Sequence, residues 1–105
     1  MSDTYQIEYS SEALDDLREI FAYIAYVKLS PENAEEQVNR IRKVIRSLCF
    51  MPERYVPLDW EPWKSRNAHK VPVDNFIVFY IVNTDTRTVT IVRIVFRGRN
   101  IKSVL

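Results

Sequence analysis

The pattern of this chain predicts an α+β domain: an N-terminal strand, then an antiparallel helical hairpin packed on one face of a mainly antiparallel four-stranded sheet, in the order β-α-α-β-β-β. Three observations carry that prediction. Tyr5-Gln6-Ile7-Glu8-Tyr9 alternates apolar with polar at period two. Two later stretches repeat apolar residues at spacings of three and four, with only a residue or two between them. Two long runs of β-branched and aromatic residues, 75–82 and 88–99, then flank a short polar segment holding Asn83 and Asp85, which reads as a hairpin in the middle of a sheet. Strands that follow a helical hairpin without βαβ alternation give this class.

The elements follow in order. The first strand turns Tyr5, Ile7 and Tyr9 inward and ends at Ser10-Ser11, either of which can cap the next helix. Glu12, Asp15 and Asp16 then place negative charge in the first turns, as the helix dipole favours. Ala13, Leu14, Leu17, Ile20, Phe21 and Ile24 form one buried stripe on a helix that runs to about Lys28. Ser30-Pro31-Glu32 restarts the pattern with a cap and a proline at the first helical position. This second helix is expected to reach about Phe50, burying Ala34, Val38, Ile41, Ile45 and Leu48. Pro52, Pro57 and Pro62 forbid regular helix and mark an ordered loop. Trp60 and Trp63 in that loop read as a lid over one end of the core, with anchors for a partner as the alternative. Residues 65–71 read as a strand ending before Pro72, with lone His69 at its surface; a catalytic role for His69 stays open, because an ordinary imidazole titrates near neutrality. The final hairpin is apolar on both faces, so it must be buried on one and partly shielded on the other. Arg93 and Arg97 lie four apart on its second strand and so share a face, and Arg99 follows the only glycine, Gly98.

With 105 residues the chain is one domain, 1–105. A hydrophobic content of 47% excludes a fibrous or disordered class. No apolar run is long enough to span a bilayer, and Met1-Ser2-Asp3-Thr4 lacks the features of a signal peptide, so a cytoplasmic protein without membrane association is expected. The single cysteine, Cys49, suits a reducing compartment, and no Cys/His spacing or glycine-rich loop calls for a metal or cofactor. Charge is unevenly divided: residues 1–36 hold nine acids and two bases, and residues 37–105 hold five acids and thirteen bases. The basic part points to an anionic partner, against the alternative of solvated faces that merely segregate.

Segments spread over nearly the whole chain resemble the RelE/ParE superfamily, the toxins of type II toxin–antitoxin (plasmid stabilisation or addiction) modules. They are Ala13-Leu14-Asp15-Asp16-Leu17-Arg18-Glu19-Ile20, Pro31-Glu32-Asn33-Ala34, Leu48-Cys49-Phe50-Met51-Pro52, Val73-Asp74-Asn75-Phe76-Ile77-Val78-Phe79-Tyr80, and the last strand through Arg97-Gly98-Arg99-Asn100. The resemblance implies a growth-arresting toxin neutralised by a cognate antitoxin that folds onto it. Two mechanisms diverge within the superfamily: RelE-like members cleave mRNA on the ribosome, and ParE-like members inhibit DNA gyrase without nuclease activity.

RNA cleavage needs a base near the attacking 2′-hydroxyl, cations around the developing charge and an acid for the leaving oxygen. On that pattern Lys70 and Arg97 are the catalytic candidates and Arg93 a weaker one, with Lys64, Arg66 and Arg99 binding nucleic acid or another target. Two departures stand out. Ile77 occupies the place of the arginine that follows the aromatic residue opening the third strand. Phe96 and Ser103 fall where relatives carry a histidine and a late tyrosine. Tyr80 reads as core. The reading favoured from sequence is a ribosome-dependent endoribonuclease with ribosome and mRNA as partners; the alternatives are a gyrase inhibitor and a degenerate, non-toxic antitoxin-binding relative.

Overall fold

The computed structural model describes residues 4–105. The Met1–Asp3 stretch, read above as lacking signal-peptide features, lies outside the described residues. The elements are β1 (Gln6–Tyr9), α1 (Ser11–Ala22), a π-helical turn (Tyr23–Val27), α2 (Pro31–Ser47), a 3-10 turn (Pro52–Arg54), β2 (Val56–Pro57), β3 (Ala68–Val73), β4 (Phe76–Asn83), β5 (Thr88–Phe96) and α3 (Ile101–Val104). The sheet has five strands in the order β1-β5-β4-β3-β2, one more than expected, because two residues of the proline-rich loop pair with β3. Every pairing is antiparallel except β1 with β5. That parallel pair follows from the helical hairpin, which crosses from β1 over one face of the sheet.

Ser10 caps α1 by accepting from Ala13 N at 3.0 Å, and its hydroxyl donates to Val92 O, tying the helix start to β5. The first helix runs on to Val27 only by widening into the π turn, where Lys28 N bonds Tyr23 O. Ser30 makes no side-chain cap; its backbone oxygen accepts from Ala34 N instead. The second helix stops at Ser47, three residues short of the expected end. Met51 takes the left-handed conformation (φ 49°) just ahead of Pro52, and together they turn the chain out of the helix.

Ala13, Leu17, Ile41, Ile45 and Leu48 of the helices bury against Val71, Val78, Tyr80, Val82, Val89, Ile91 and Ile94 of the sheet. Tyr5, Ile7 and Tyr9 border this core, as their alternation requires. The opposite face is covered too: Phe79, Ala68, Val95 and Leu58 are buried beneath Trp60, Trp63, Ile101, Val104 and Leu105. The tryptophans thus lie over the second face of the sheet, which explains why the β4–β5 hairpin is apolar on both sides. The third long strand is shifted from its predicted place, starting at Ala68 and running through Pro72. Proline is tolerated there because β2 reaches only His69 and Lys70, so position 72 lies on an open edge and needs no donor. His69 pairs with Tyr80 and so faces the helices, where it is 4% exposed and stacks on the Tyr80 ring; the surface placement read from sequence is corrected.

Candidate functional site

Pairing across the sheet fixes which side chains share a face. Lys70 stands opposite Phe79, and Phe79 opposite Arg93, so the two bases belong to the face under Trp60, Trp63 and α3. Ile77 and Val95 are the next pair on that face. Lys70 is partly buried. A bulge in β5 shifts the register between Phe79 and Tyr80, and the edge of β5 beyond Ile91 is left open by the short β1.

Asp16 of α1 fills that edge. Its carboxylate accepts from Ile94 N at 2.8 Å and takes a two-pronged contact from Arg93, Nε at 2.8 Å and Nη2 at 3.0 Å. The remaining prong of Arg93, Nη1, donates to Val104 O at 3.0 Å. One guanidinium therefore joins α1, β5 and α3. The Asp16 carboxylate beside it raises the Arg93 pKa further above its ordinary value. Arg93 does share the face of Lys70, as its parity along the strand requires, but its donors are engaged in holding the fold together.

Arg97 and Arg99 are differently placed. Arg97 lies one residue past β5, exposed, with only its backbone N tied down, to Asn75 O at 2.7 Å. Neither forms an ion pair among the described residues. Gly98 does not take positive φ, and a Cβ there would make only ordinary contact with the Phe96 ring at 3.4 Å, so neither the backbone nor the packing demands glycine at this position. Arg99 faces the other way, into a groove of about 540 Å³ between the end of the helical hairpin and the far end of β4–β5. Ile20, Tyr23, Ile24, Phe76 and Phe96 supply its apolar wall, with Glu19 and Lys28 at its rim. Tyr26, Val27 and Leu29 of the neighbouring turn are exposed apolar side chains outside this groove: Tyr26 lines a separate hollow with Leu14, Phe21 and Val38, and Leu29 is 82% exposed. Glu32, Glu35 and Glu36 open the neighbouring helix as exposed acids.

The two side chains of the sheet best suited to proton transfer lie on the helix face, away from Lys70. The Tyr80 hydroxyl donates to Pro52 O at 2.6 Å, and burial pushes its pKa up. His69 stacks on the Tyr80 ring at 5.7 Å, with Nδ1 3.1 Å from Asn67 O. Lys64 and Arg66 project from the tryptophan loop as exposed cations, and Arg66 lies over the Trp63 ring. Sequence reasoning missed Asp16, which reads as one more acid in a first helical turn, and the role of α3, whose single turn carries no periodic signal. Among the described residues, no set of His, Cys, Asp and Glu side chains gathers that could hold a metal ion, and no helix is long and apolar enough to cross a membrane.

Comparison with known proteins agrees with this architecture. No curated protein matches the chain in sequence. Among solved structures, the fold is similar to that of a chromosomal ParDE toxin–antitoxin system from P. aeruginosa, with a TM-score of 0.73 at 19% identity, over 90% of this chain and 98% of that one. It is also similar to the archaeal RelE–RelB complex from Pyrococcus horikoshii, with a TM-score of 0.65 at 16% identity over 92% and 99% of the two chains. The toxin–antitoxin complex RelBE2 from Mycobacterium tuberculosis gives 0.62 at 17% identity over 94% and 98%. Identities this low show the fold alone. The sequence family described as the ParE toxin of the type II toxin–antitoxin system parDE matches residues 7–101, nearly the whole chain, and so the chain belongs to the ParE toxin family within the RelE/ParE superfamily of type II toxins.

Proposed function

We propose that this toxin arrests growth by inhibiting DNA gyrase and does not cleave mRNA. The observation that carries the reading is the separation of the groups a nuclease would need. Lys70 shares its face with Phe79, Ile77 and Val95, Arg93 is fixed by Asp16 and the Val104 carbonyl, and His69 and Tyr80 are buried on the opposite face. Cleavage through a 2′-hydroxyl requires a base, an acid and a free cation converging on one phosphate. The ribonuclease favoured from sequence lacks that convergence, and the match to the ParE family supports the alternative. In this reading Arg97 contacts the target as an exposed, unpaired cation, with Lys70 adding positive field, and Arg93 acts as a positioning residue. The site of action is the cytoplasm, where gyrase works.

A cognate antitoxin is the second partner. Two of the similar solved structures are described as toxin–antitoxin complexes, and this chain offers an apolar groove and, separately, the exposed apolar side chains Tyr26, Val27 and Leu29 near the end of the helical hairpin. A segment that folds on binding can cover such a long surface. Regulated expression in a bacterium tests the proposal: arrest with blocked DNA replication and continuing protein synthesis is expected. Arrest with immediate loss of protein synthesis refutes the gyrase reading, and normal growth with the folded protein present refutes toxicity altogether.

A further inference from the structure

The outward face of α2 is covered by no other element among the described residues, and its charges are ordered along the helix. Glu32, Glu35 and Glu36 come first, then Asn39, then Arg42, Lys43 and Arg46, all of them exposed. Their spacings from Asn39 put the six charges on one stripe of the helix, away from the buried Ala34, Ile41 and Ile45. The stripe is antisymmetric about Asn39: Glu36 and Arg42 lie three residues to either side of it, Glu35 and Lys43 four, and Glu32 and Arg46 seven. None of the six has an ion-pair partner among the described residues, and the Arg42 guanidinium lies 6.0 Å from the centre of the Tyr9 ring. Arg40, on the other flank of α2, is engaged by Asp74 at 2.8 Å.

Nothing within one copy of the chain accounts for this order. The helix dipole favours acids in the first turn and bases in the last, and its influence fades before Glu36 and Arg42. Residues three and four apart are neighbours on a helix surface, and here those neighbours are alike: Glu32 with Glu35 and Glu36, Arg46 with Arg42 and Lys43. Like charges at those spacings destabilise a lone helix. A second copy laid antiparallel across α2 supplies the opposite charges, because residues equally far before and after Asn39 then meet. Glu32 faces Arg46 of the second copy, Glu35 faces Lys43 and Glu36 faces Arg42, and the twofold axis repeats each pair. A parallel arrangement sets like charge on like. The axis that reverses α2 keeps α1 of both copies on the same side. The hollow of about 450 Å³ that Leu14, Phe21 and Val38 line beside Arg42 therefore meets its counterpart and adds apolar contact. We propose that α2 is a homodimer interface, in which two copies of this chain pack antiparallel about Asn39 through these matched charges. The interface needs neither gyrase nor antitoxin.

Sedimentation velocity of the full-length protein, free of antitoxin, over a rising concentration series tests this. A monomer–dimer equilibrium is expected, shifted toward monomer at about 1 M salt, where the Debye length falls to about 3 Å. Each single reversal, Glu35→Lys or Lys43→Glu, turns two pairs of the dimer into repulsions. It should weaken self-association about tenfold or more, since an exposed pair contributes about 1.4- to 5-fold and a like-charge pair opposes by a similar factor. The double variant Glu35→Lys, Lys43→Glu again sets opposite charges across the antiparallel pair, keeps the net charge, and should return to within about threefold of the wild-type affinity. The two positions are eight residues apart, about 12 Å along one helix, so the recovery cannot arise within a monomer. Both side chains are exposed, and circular dichroism checks that each variant folds. A protein that stays monomeric throughout the series overturns the proposal, as does a dimer indifferent to the single reversals or a double variant no better than the singles. Reversals that weaken antitoxin binding by a monomeric toxin assign the stripe to the antitoxin and overturn the homodimer. Since the cell contains no gyrase, each of these failures leaves the gyrase reading untouched.

Discussion

Replacing Asp16 with alanine should destabilise the domain more than the loss of any exposed charge on its surface. The carboxylate is 8% exposed and accepts three donors, two from Arg93 and one from the backbone of Ile94. Alanine leaves a buried N–H without an acceptor and a guanidinium without its counter-charge. Removing one partner of a buried pair costs about 3–5 kcal/mol. Arg93 keeps 23% of its side chain in solvent, which recovers part of that loss and places the expected cost near the lower end, about 3 kcal/mol. In a domain of this size such a change lowers the melting temperature by about 12 °C or more. Asp16→Asn keeps an acceptor for Ile94 N but removes the charge, and about 1.5 kcal/mol is expected from the weakened contact to Arg93. The raised Arg93 pKa means that its contribution is present at all pH values below the ordinary arginine pKa and fades only above it. Urea denaturation followed by circular dichroism measures these values, and a cycle with Arg93→Met isolates the pair. A loss below about 1 kcal/mol for Asp16→Ala, with unchanged denaturant slope, would refute the claim that this pair joins α1, β5 and α3.

Three further outcomes are expected. Because burial raises the Tyr80 pKa, the unfolded chain ionises first as pH climbs past about 10, and stability should fall from there by about 1.4 kcal/mol per pH unit for this residue. Below that pH the ionisation contributes nothing, and Tyr80→Phe should remove this share of the alkaline loss; an unaltered profile shows that the hydroxyl is not held in the core. Arg97→Ala should abolish toxicity while changing stability by about 0.5 kcal/mol or less, since the side chain is exposed and outside every ion pair among the described residues; unfolding of the variant identifies Arg97 as structural instead. Tyr26→Ser with Leu29→Ser should leave the fold intact and weaken the antitoxin complex about tenfold or more by calorimetry, and an unchanged affinity moves the antitoxin off the exposed turn between the helices.

Much of the fold is legible in the sequence because periodicity reports burial directly. The alternation of Tyr5–Tyr9, the stripe of the second helix and the two-sided apolarity of the β4–β5 hairpin each correspond to an observed element with the expected face inward, whereas of the stripe read on the first helix Ala13, Leu17 and Ile20 meet the core and Leu14, Phe21 and Ile24 stay outside it, partly exposed. The tryptophans are legible as a cover because aromatic residues in a proline-rich loop have few other ways to bury their rings. What sequence does not show is what depends on long-range placement. Asp16 and Arg93 are 77 residues apart, and nothing in either segment announces the pair. His69 lies in the core because it pairs with Tyr80 across the sheet, and the weak alternation around it does not reveal which face it takes. The third helix and β2 are too short to leave a pattern, and both are held by contacts with the rest of the sheet face. Arg97 and Arg99 stand out by composition, but their opposite placement follows from the chain turning at Gly98 after β5 ends.

Whether this toxin is directed at gyrase and free of nuclease chemistry is decided by adding the purified protein to two reactions side by side: supercoiling of relaxed plasmid by purified gyrase, and mRNA integrity on translating ribosomes. Supercoiling should be lost, and restored by the cognate antitoxin, with mRNA intact at the same protein concentration. Cleavage of mRNA on the ribosome with supercoiling unaffected would contradict the gyrase reading.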